Sequence, residues 1–441
     1  MRKLVLCLVT LSLLSLTAAA LERQPNANYR ARREALARKA GGIVVLFSAL
    51  EPDESLYSFR QEDNFYYLSG LSEPGPALLI APALDATENS PARPYTEILF
   101  LPPHIPVLEK FTGPKLGAEN PEAPKITGFD RVQELSKLPE ELVKVMGNGR
   151  HVIYADVDSA EPSPDAPETL SLLKRTTGML YFQDVKPVLK SLRSVKDPGE
   201  VALMQKSVDA SRAAHTAVMK TVKPNVTEYE IGALLQYEWG RRGCERAAYP
   251  PVVGSGHNST ILHYSENTAT MKSGDVVVID AAAECSMYAA DITRTLPVTG
   301  HFTARQKEVY DIVLGAQEAA AAAFQSGKST LGGPPENSLD TVARNYIRAH
   351  GKDLHGQPLD QYFIHGLGHY IGMDVHDVGE YNSPLVPGMM FTIEPGIYIP
   401  EEDLGVRIED DYLVGADGRL IKLSAALPSK AEDVEKVMAG R

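Results

Sequence analysis

The stretch Val276-Val277-Val278-Ile279-Asp280, followed after ten intervening residues by Asp291-Ile292-Thr293-Arg294-Thr295, is where the architecture of this 441-residue chain can be read. Four β-branched residues in a row favour a strand, and this one ends on an acid. A hairpin without a bulge turns between Cys285 and Ser286 and sets Asp280 directly opposite Asp291. Opposed side chains in an antiparallel pair have Cβ atoms about 4.5–5.5 Å apart, where like charges repel. A cation between them removes the conflict.

The same construction recurs downstream. Met389-Met390-Phe391-Thr392-Ile393 runs into Glu394, and Gly405-Val406-Arg407-Ile408 runs into Glu409. The midpoint between Glu401 and Glu402 sets Glu394 opposite Glu409. Two acidic hairpins suggest an internal pseudo-symmetry and one shared site. Between them lies His365-Gly366-Leu367-Gly368-His369, then Gly372 and His376-Asp377. Glycines at this density disfavour a helix, and in extended backbone His365 and His369 share a face. Arg407 precedes Glu409 by two, so the same period aims it at the site.

Four carboxylates and one imidazole make a hard donor set with no thiolate evident. It suits two divalent cations, Mn²⁺ foremost, with Co²⁺, Zn²⁺ or Fe²⁺ less specifically. A single Asp at a strand end is ordinarily a turn or cap residue. A lone His263 or His376 is ordinarily a hydrogen-bonded core histidine. The joint pattern carries the weight, because buried opposed carboxylates are costly unless compensated.

Outward from this centre, the chain divides. Arg2 and Lys3, an apolar run over 4–16 and Ala18-Ala19-Ala20 read as a signal peptide over 1–20. The run is too short to span a bilayer, so an exported, periplasmic or secreted protein is expected, free of the membrane after cleavage. Net charge is −13, which argues against nucleic acid and anionic membranes as partners. Cys244 and Cys285 remain once Cys7 leaves, and spacing does not say whether they pair. Residues 21–190 read as an α/β domain, with a helix over 29–40 and strands over 42–47, 65–68, 77–80 and 97–101. Residues 191–441 form a second domain. A long helix begins at Pro198, Thr227 and Glu230 make a capping box, and further helices fall over 316–324 and 338–349. The mixture places the chain in the α/β (α+β) class.

The segments Ile261-Leu262-His263-Tyr264, Asp280 through Thr295, His365-Gly366-Leu367-Gly368-His369, Val375-His376-Asp377-Val378-Gly379, Glu394-Pro395-Gly396 and Arg407-Ile408-Glu409-Asp410-Asp411 resemble the proline-specific pita-bread metallopeptidases. The resemblance is strongest to the bacterial aminopeptidase P group, with prolidase a near relative. Phe59-Arg60-Gln61 and Phe65-Tyr66-Tyr67-Leu68-Ser69-Gly70 resemble that group's N-terminal domain. The resemblance implies metal ligands at Asp280, Asp291, His369, Glu394 and Glu409, with Asp291 and Glu409 bridging two ions. It implies Glu394 as the proton carrier, and catalytic or substrate roles for His263, His365, His376 and Arg407. The implied substrates are peptides with proline in second position, and a homo-oligomer is expected. Two departures stand out: Ala282 where the family often has glycine, and Phe111 where aminopeptidase P members can bring a tryptophan into the pocket. The alternatives are a dipeptide-only prolidase and a non-catalytic peptide-binding protein of the same fold.

Overall fold

Strand β1 (Ile43–Phe47) is apolar and nearly all buried, and a six-stranded sheet gathers around it. The computed structural model describes residues 21–50, 59–86, 92–147, 151–156 and 182–440. The signal-peptide reading of 1–20 lies outside the described residues. With β2 (Ala77–Ala81), β3 (Thr96–Leu101), β4 (Arg131–Glu134), β5 (Ile153–Ala155) and β6 (Gln183–Asp184), the order is β4-β3-β2-β1-β5-β6. β2 runs antiparallel to both its neighbours, β1 and β3, while β4, β5 and β6 join in parallel. The helix Asn26–Ala40 lies against this sheet, with Leu36 and Ala37 in the same core as Val44 and Leu46.

The strand expected over 65–68 is instead part of the helix Asp63–Ser69. The Glu62 carboxylate accepts from the backbone N–H of Asn64 and Phe65, an N-cap that ends extended structure there. Gly70, at φ 64°, closes the helix in the left-handed region. Phe65 to Ser69 are all buried, and a run apolar on every side carries no period to tell helix from strand.

The second half opens with the helix Pro198–Met219, whose Asp197 and Glu200 make a capping box. Its strands are β7 (Arg246–Ala247), β8 (Val252–Ser255), β9 (Val276–Asp280), β10 (Ala283–Cys285), β11 (Tyr288–Ala289) and β12 (Thr293–Pro297). They are followed by β13 (Met390–Ile393), β14 (Gly396–Ile399), β15 (Leu404–Arg407), β16 (Asp410–Val414) and β17 (Leu420–Lys422). The helix seen in sequence over 316–324 begins earlier, as Ala304–Ala323, behind a Thr303/Gln306 capping box.

Each hairpin is backed by its own helices. Val277, Ile279 and Ile292 share a core with Val208 and Val218 of the helix Pro198–Met219 and Leu235 of the helix Glu228–Gly240. Ile393, Ile397, Val406 and Ile408 share one with Val313 of Ala304–Ala323 and Ile347 of Leu339–His350. Burying each such side chain contributes roughly 1.5–3 kcal/mol. That burial fixes one face of each hairpin inward and leaves the acids on the other.

The registers differ from each other in an informative way. In the second hairpin Ile393 pairs with Asp410 and Gly396 with Arg407, so Glu394 lies opposite Glu409. In the first, Asp280 pairs with Thr293, not with Asp291. The turn is centred between Ser286 and Met287, both at positive φ (55° and 69°), which is the type I′ signature of a two-residue hairpin loop. A two-residue slip preserves the face, so Asp291 is the diagonal rather than the direct neighbour of Asp280. The hairpins join where the Glu409 N–H donates to the Thr293 carbonyl at 3.2 Å. Cys244 and Cys285 form a disulfide that ties the end of the helix Glu228–Gly240 to β10. Among the described residues no helix is long and apolar enough to cross a membrane.

Candidate metal centre

His369 reaches the acids because its segment runs alongside β13. The Glu394 N–H donates to the Leu367 carbonyl at 2.8 Å, and the Thr392 N–H donates to the His369 carbonyl at 2.9 Å. A Cβ on Gly368 would sit 2.0 Å from the Thr392 carbonyl oxygen, so only glycine permits this approach. His369 Nε2 then lies 3.3 Å from Asp291 Oδ2, 3.3 Å from Glu394 Oε1 and 3.9 Å from Glu409 Oε1. Oxygens of Asp291 and Glu409 and a nitrogen of His369 all fall within 4.8 Å of one another.

The hydrogen bonds around this cluster leave it short of positive charge. His369 Nδ1 faces the Tyr370 carbonyl at 3.1 Å. A carbonyl only accepts, so Nδ1 carries a proton, and Nε2 is left to face the carboxylates, where it donates a proton in metal-free protein and offers its lone pair once an ion replaces that proton. That is the tautomer a metal-binding imidazole needs. The Tyr249 hydroxyl touches both Asp280 Oδ1, at 2.6 Å, and Asp291 Oδ1. Its single proton can serve only one of them. Thr293 Oγ1 donates to Glu409 Oε2 at 2.7 Å, and Thr392 Oγ1 to Glu394 Oε1 at 3.1 Å. Arg407 is the one guanidinium in the cluster, and it donates to Asp280 Oδ2 at 2.6 Å.

Titration follows this shortage. Burial, then repulsion from neighbouring carboxylates, pushes the Glu394 and Glu409 carboxyls upward, Glu409 well above the usual range. Burial alone lowers the His369 imidazole, but hydrogen bonding to Asp291 and the fields of Glu394 and Asp291 outweigh it, raising it to about 9. Without a cation this cluster must hold protons. Divalent ions in their place satisfy the same oxygens, so the donor set fits the metals the sequence implies.

The cleft that opens here measures about 360 Å³. It is lined by Asp280, Asp291, His369, Glu394 and Glu409, and by His263, His365, His376 and Arg407. Every site residue expected from sequence is brought together except Phe111. That side chain is 82% exposed on the helix Pro106–Thr112 and is not among the residues lining the cleft. An aromatic residue at a comparable place in the sequence did not fix where its helix would point. Arg407 lines the cleft, but its guanidinium is committed to Asp280, Tyr398 and Thr293, so it orients Asp280 instead of reaching for substrate.

Sequence reasoning missed several participants. Thr293 and Thr392 stand two residues from Asp291 and Glu394, so the strand period could have found them. Tyr398 supports both His365 and Arg407. Tyr249 follows β7, and nothing in its local sequence announces its reach. Asp411 is fully buried and accepts from the Asp291 N–H at 3.1 Å.

A family model described as metallopeptidase family M24 matches residues 202–416, and one described as aminopeptidase P, N-terminal domain, matches residues 29–154. The chain is 34% identical to the Xaa-Pro aminopeptidase of Haemophilus influenzae over 427 residues, covering 90% of this chain and 93% of that one. It is 33% identical to the Xaa-Pro aminopeptidase of Escherichia coli, covering 93% and 97%. The structure of aminopeptidase P from E. coli with the inhibitor Pro-Leu matches with a TM-score of 0.82 at 30% identity, over 95% of this chain and 99% of that one. The chain therefore belongs to metallopeptidase family M24, with the pita-bread fold in its catalytic half and the N-terminal domain of aminopeptidase P ahead of it.

Proposed function

We propose that this metallopeptidase removes the single residue that precedes proline at the N-terminus of peptides, using two divalent ions held by Asp280, Asp291, His369, Glu394 and Glu409. Manganese is the ion the oxygen-rich set suits best. The observation that carries the reading is one cleft lined by four carboxylates, three of them around the His369 imidazole and the fourth, Asp280, paired with Arg407, the one guanidinium among the lining residues. When bound, the ions supply an acidified water and Lewis acidity at the scissile carbonyl.

The side chains supply the rest. Glu394 Oε1 is held by Thr392, while Oε2 lies 3.9 Å from His365 Nδ1 and has no hydrogen bond among the described residues. Oε2 is thus free to take a proton and hand it to the departing proline nitrogen, which must leave as an amine. His376, exposed at the cleft rim with its ring 4.3 Å from that of His369, is placed to donate to the oxyanion that develops on the carbonyl. Burial, then the Arg407 charge, holds His365 down to about 4, so it stays neutral and pairs with the Tyr398 hydroxyl at 2.9 Å. The acidic wall attracts the substrate's free N-terminal ammonium, which confines cleavage to chain ends. His263 lines the same cleft and is assigned to substrate contact.

Export from the cytoplasm belongs to this reading. The Cys244–Cys285 disulfide supports it, since such bonds persist in oxidising compartments. Assembly into a homo-oligomer also belongs to it, and exposed Ile105, Val107 and Phe111 offer that assembly an apolar face. Product analysis on three peptides tests the function. Xaa-Pro-Xaa should lose its first residue, and Xaa-Ala-Xaa should stay largely intact. Hydrolysis confined to the dipeptide Xaa-Pro would reassign the protein to prolidase.

A further inference from the structure

His376 stands at the cleft rim with no hydrogen bond fixing its ring among the described residues; its one ring contact is with His369. Its place is therefore set by its backbone, and the backbone is gripped through the next residue. Asp377 is buried and uses both carboxylate oxygens. Arg193 Nη2 donates to Oδ1 at 2.7 Å, and Lys196 Nζ donates to Oδ2 at 2.9 Å. The Asp377 N–H donates to the Tyr370 carbonyl at 2.9 Å, which folds 370–377 into a closed loop joining His369 to His376. A Cβ on Gly372 would lie 2.0 Å from Asp377 Oδ2 and 2.9 Å from Lys196 Cε, so the loop is packed around this ion pair.

The grip comes from the junction between the two halves of the chain. Arg193 ends the helix Lys186–Arg193, and Lys196 directly precedes the cap of the helix Pro198–Met219. Arg193 also donates to Asp63 Oδ2 at 3.1 Å and Asn64 Oδ1 at 2.7 Å, both on the N-terminal helix Asp63–Ser69. Arg60 completes the connection: it donates to Asp63 at 2.9 Å and to the Met373 carbonyl of the same loop at 2.7 Å. The loop that carries His376 is thus built on the N-terminal half as much as on the catalytic one.

We infer that Asp377, held by Arg193 and Lys196, is a positioning residue that sets His376 over the scissile carbonyl. This rests on the donor role given to His376 above. It follows that docking of the N-terminal half is part of catalysis and not only of stability. Misplacing a reacting group by about 1 Å can cost about 100-fold in rate, so loss of the grip should lower kcat about 10- to 100-fold.

The test is a double-mutant cycle on an Xaa-Pro-Xaa tripeptide with wild type, Asp377→Asn, His376→Ala and the double variant, with metal content and thermal midpoint measured on each. Asp377→Asn should lower kcat about 10- to 100-fold, leave KM within about threefold and retain the metals. In the His376→Ala background the same change should lower kcat less than about twofold, because its effect runs through His376. Equal losses in both backgrounds would mean a merely structural role and overturn the inference. Wild-type kcat in His376→Ala would instead overturn the donor role on which it rests. If Asp377→Asn does not fold, Lys196→Met, which leaves the Arg193 pairing in place, is carried through the same cycle with the same expectation.

Discussion

Replacing Glu394 by glutamine separates carrying a proton from holding a metal. Glutamine keeps the length and one oxygen, so the bond from Thr392 Oγ1, 3.1 Å in the wild type, can persist, as can the approach to His369. It lacks the charge and the basicity of Oε2. General-base help is worth about 10²–10⁴-fold in rate, or about 2.7–5.4 kcal/mol of barrier, and kcat on an Xaa-Pro-Xaa tripeptide should fall by that factor. One of four carboxylates is also lost to the metals, so occupancy must be measured on the same preparation. His376→Ala provides the comparison, since it touches no carboxylate ligand: metals retained, and kcat down about 10²–10³-fold, the usual cost of one oxyanion donor. If Glu394→Gln held both metals and near-normal kcat, the proton would have to travel by another residue or by solvent.

Two further outcomes follow from buried groups away from the cleft. Burial first of all holds the His215 imidazole down from 6.5 to about 4, with the ring against the Ala281 carbonyl at 2.9 Å. Between those values the unfolded chain binds a proton that the folded one does not, so stability rises with pH across that window. Metal-free protein should lose about 3 kcal/mol from this group as pH falls from 6.5 to about 4. Urea denaturation at several pH values should show that slope in wild type and not in His215→Gln. The Cys244–Cys285 disulfide spans 41 residues of sequence. Constraint of the unfolded chain by a loop that long is worth about 4 kcal/mol, which Cys285→Ser should forfeit in the same assay.

The second hairpin could be read fully from sequence, because its register runs unbroken on both sides of the acids and its turn falls at the expected midpoint. The first could not be placed to the residue. Ser286-Met287 is not a pair that announces a type I′ turn, which favours Asn-Gly. The face was nonetheless legible, since only an odd slip would have turned Asp280 and Asp291 apart. His369 was legible as a ligand through the family resemblance; the glycines beside it spoke only against a helix, and not for the route by which Gly368 lets the segment approach Thr392. Tyr249 and the pairing of Cys244 with Cys285 are long-range facts with no local signal. The helix Asp63–Ser69 and the exposed Phe111 were decided by capping and packing that a linear pattern does not carry.

The two acidic hairpins are expected to enclose divalent cations that catalysis needs. Elemental analysis of purified protein, taken alongside its activity on an Xaa-Pro-Xaa peptide, tests this most directly. Two divalent ions per chain are expected, with activity lost on chelation and recovered on adding Mn²⁺ or Co²⁺. Protein that is free of metal and still releases the residue before proline would contradict it.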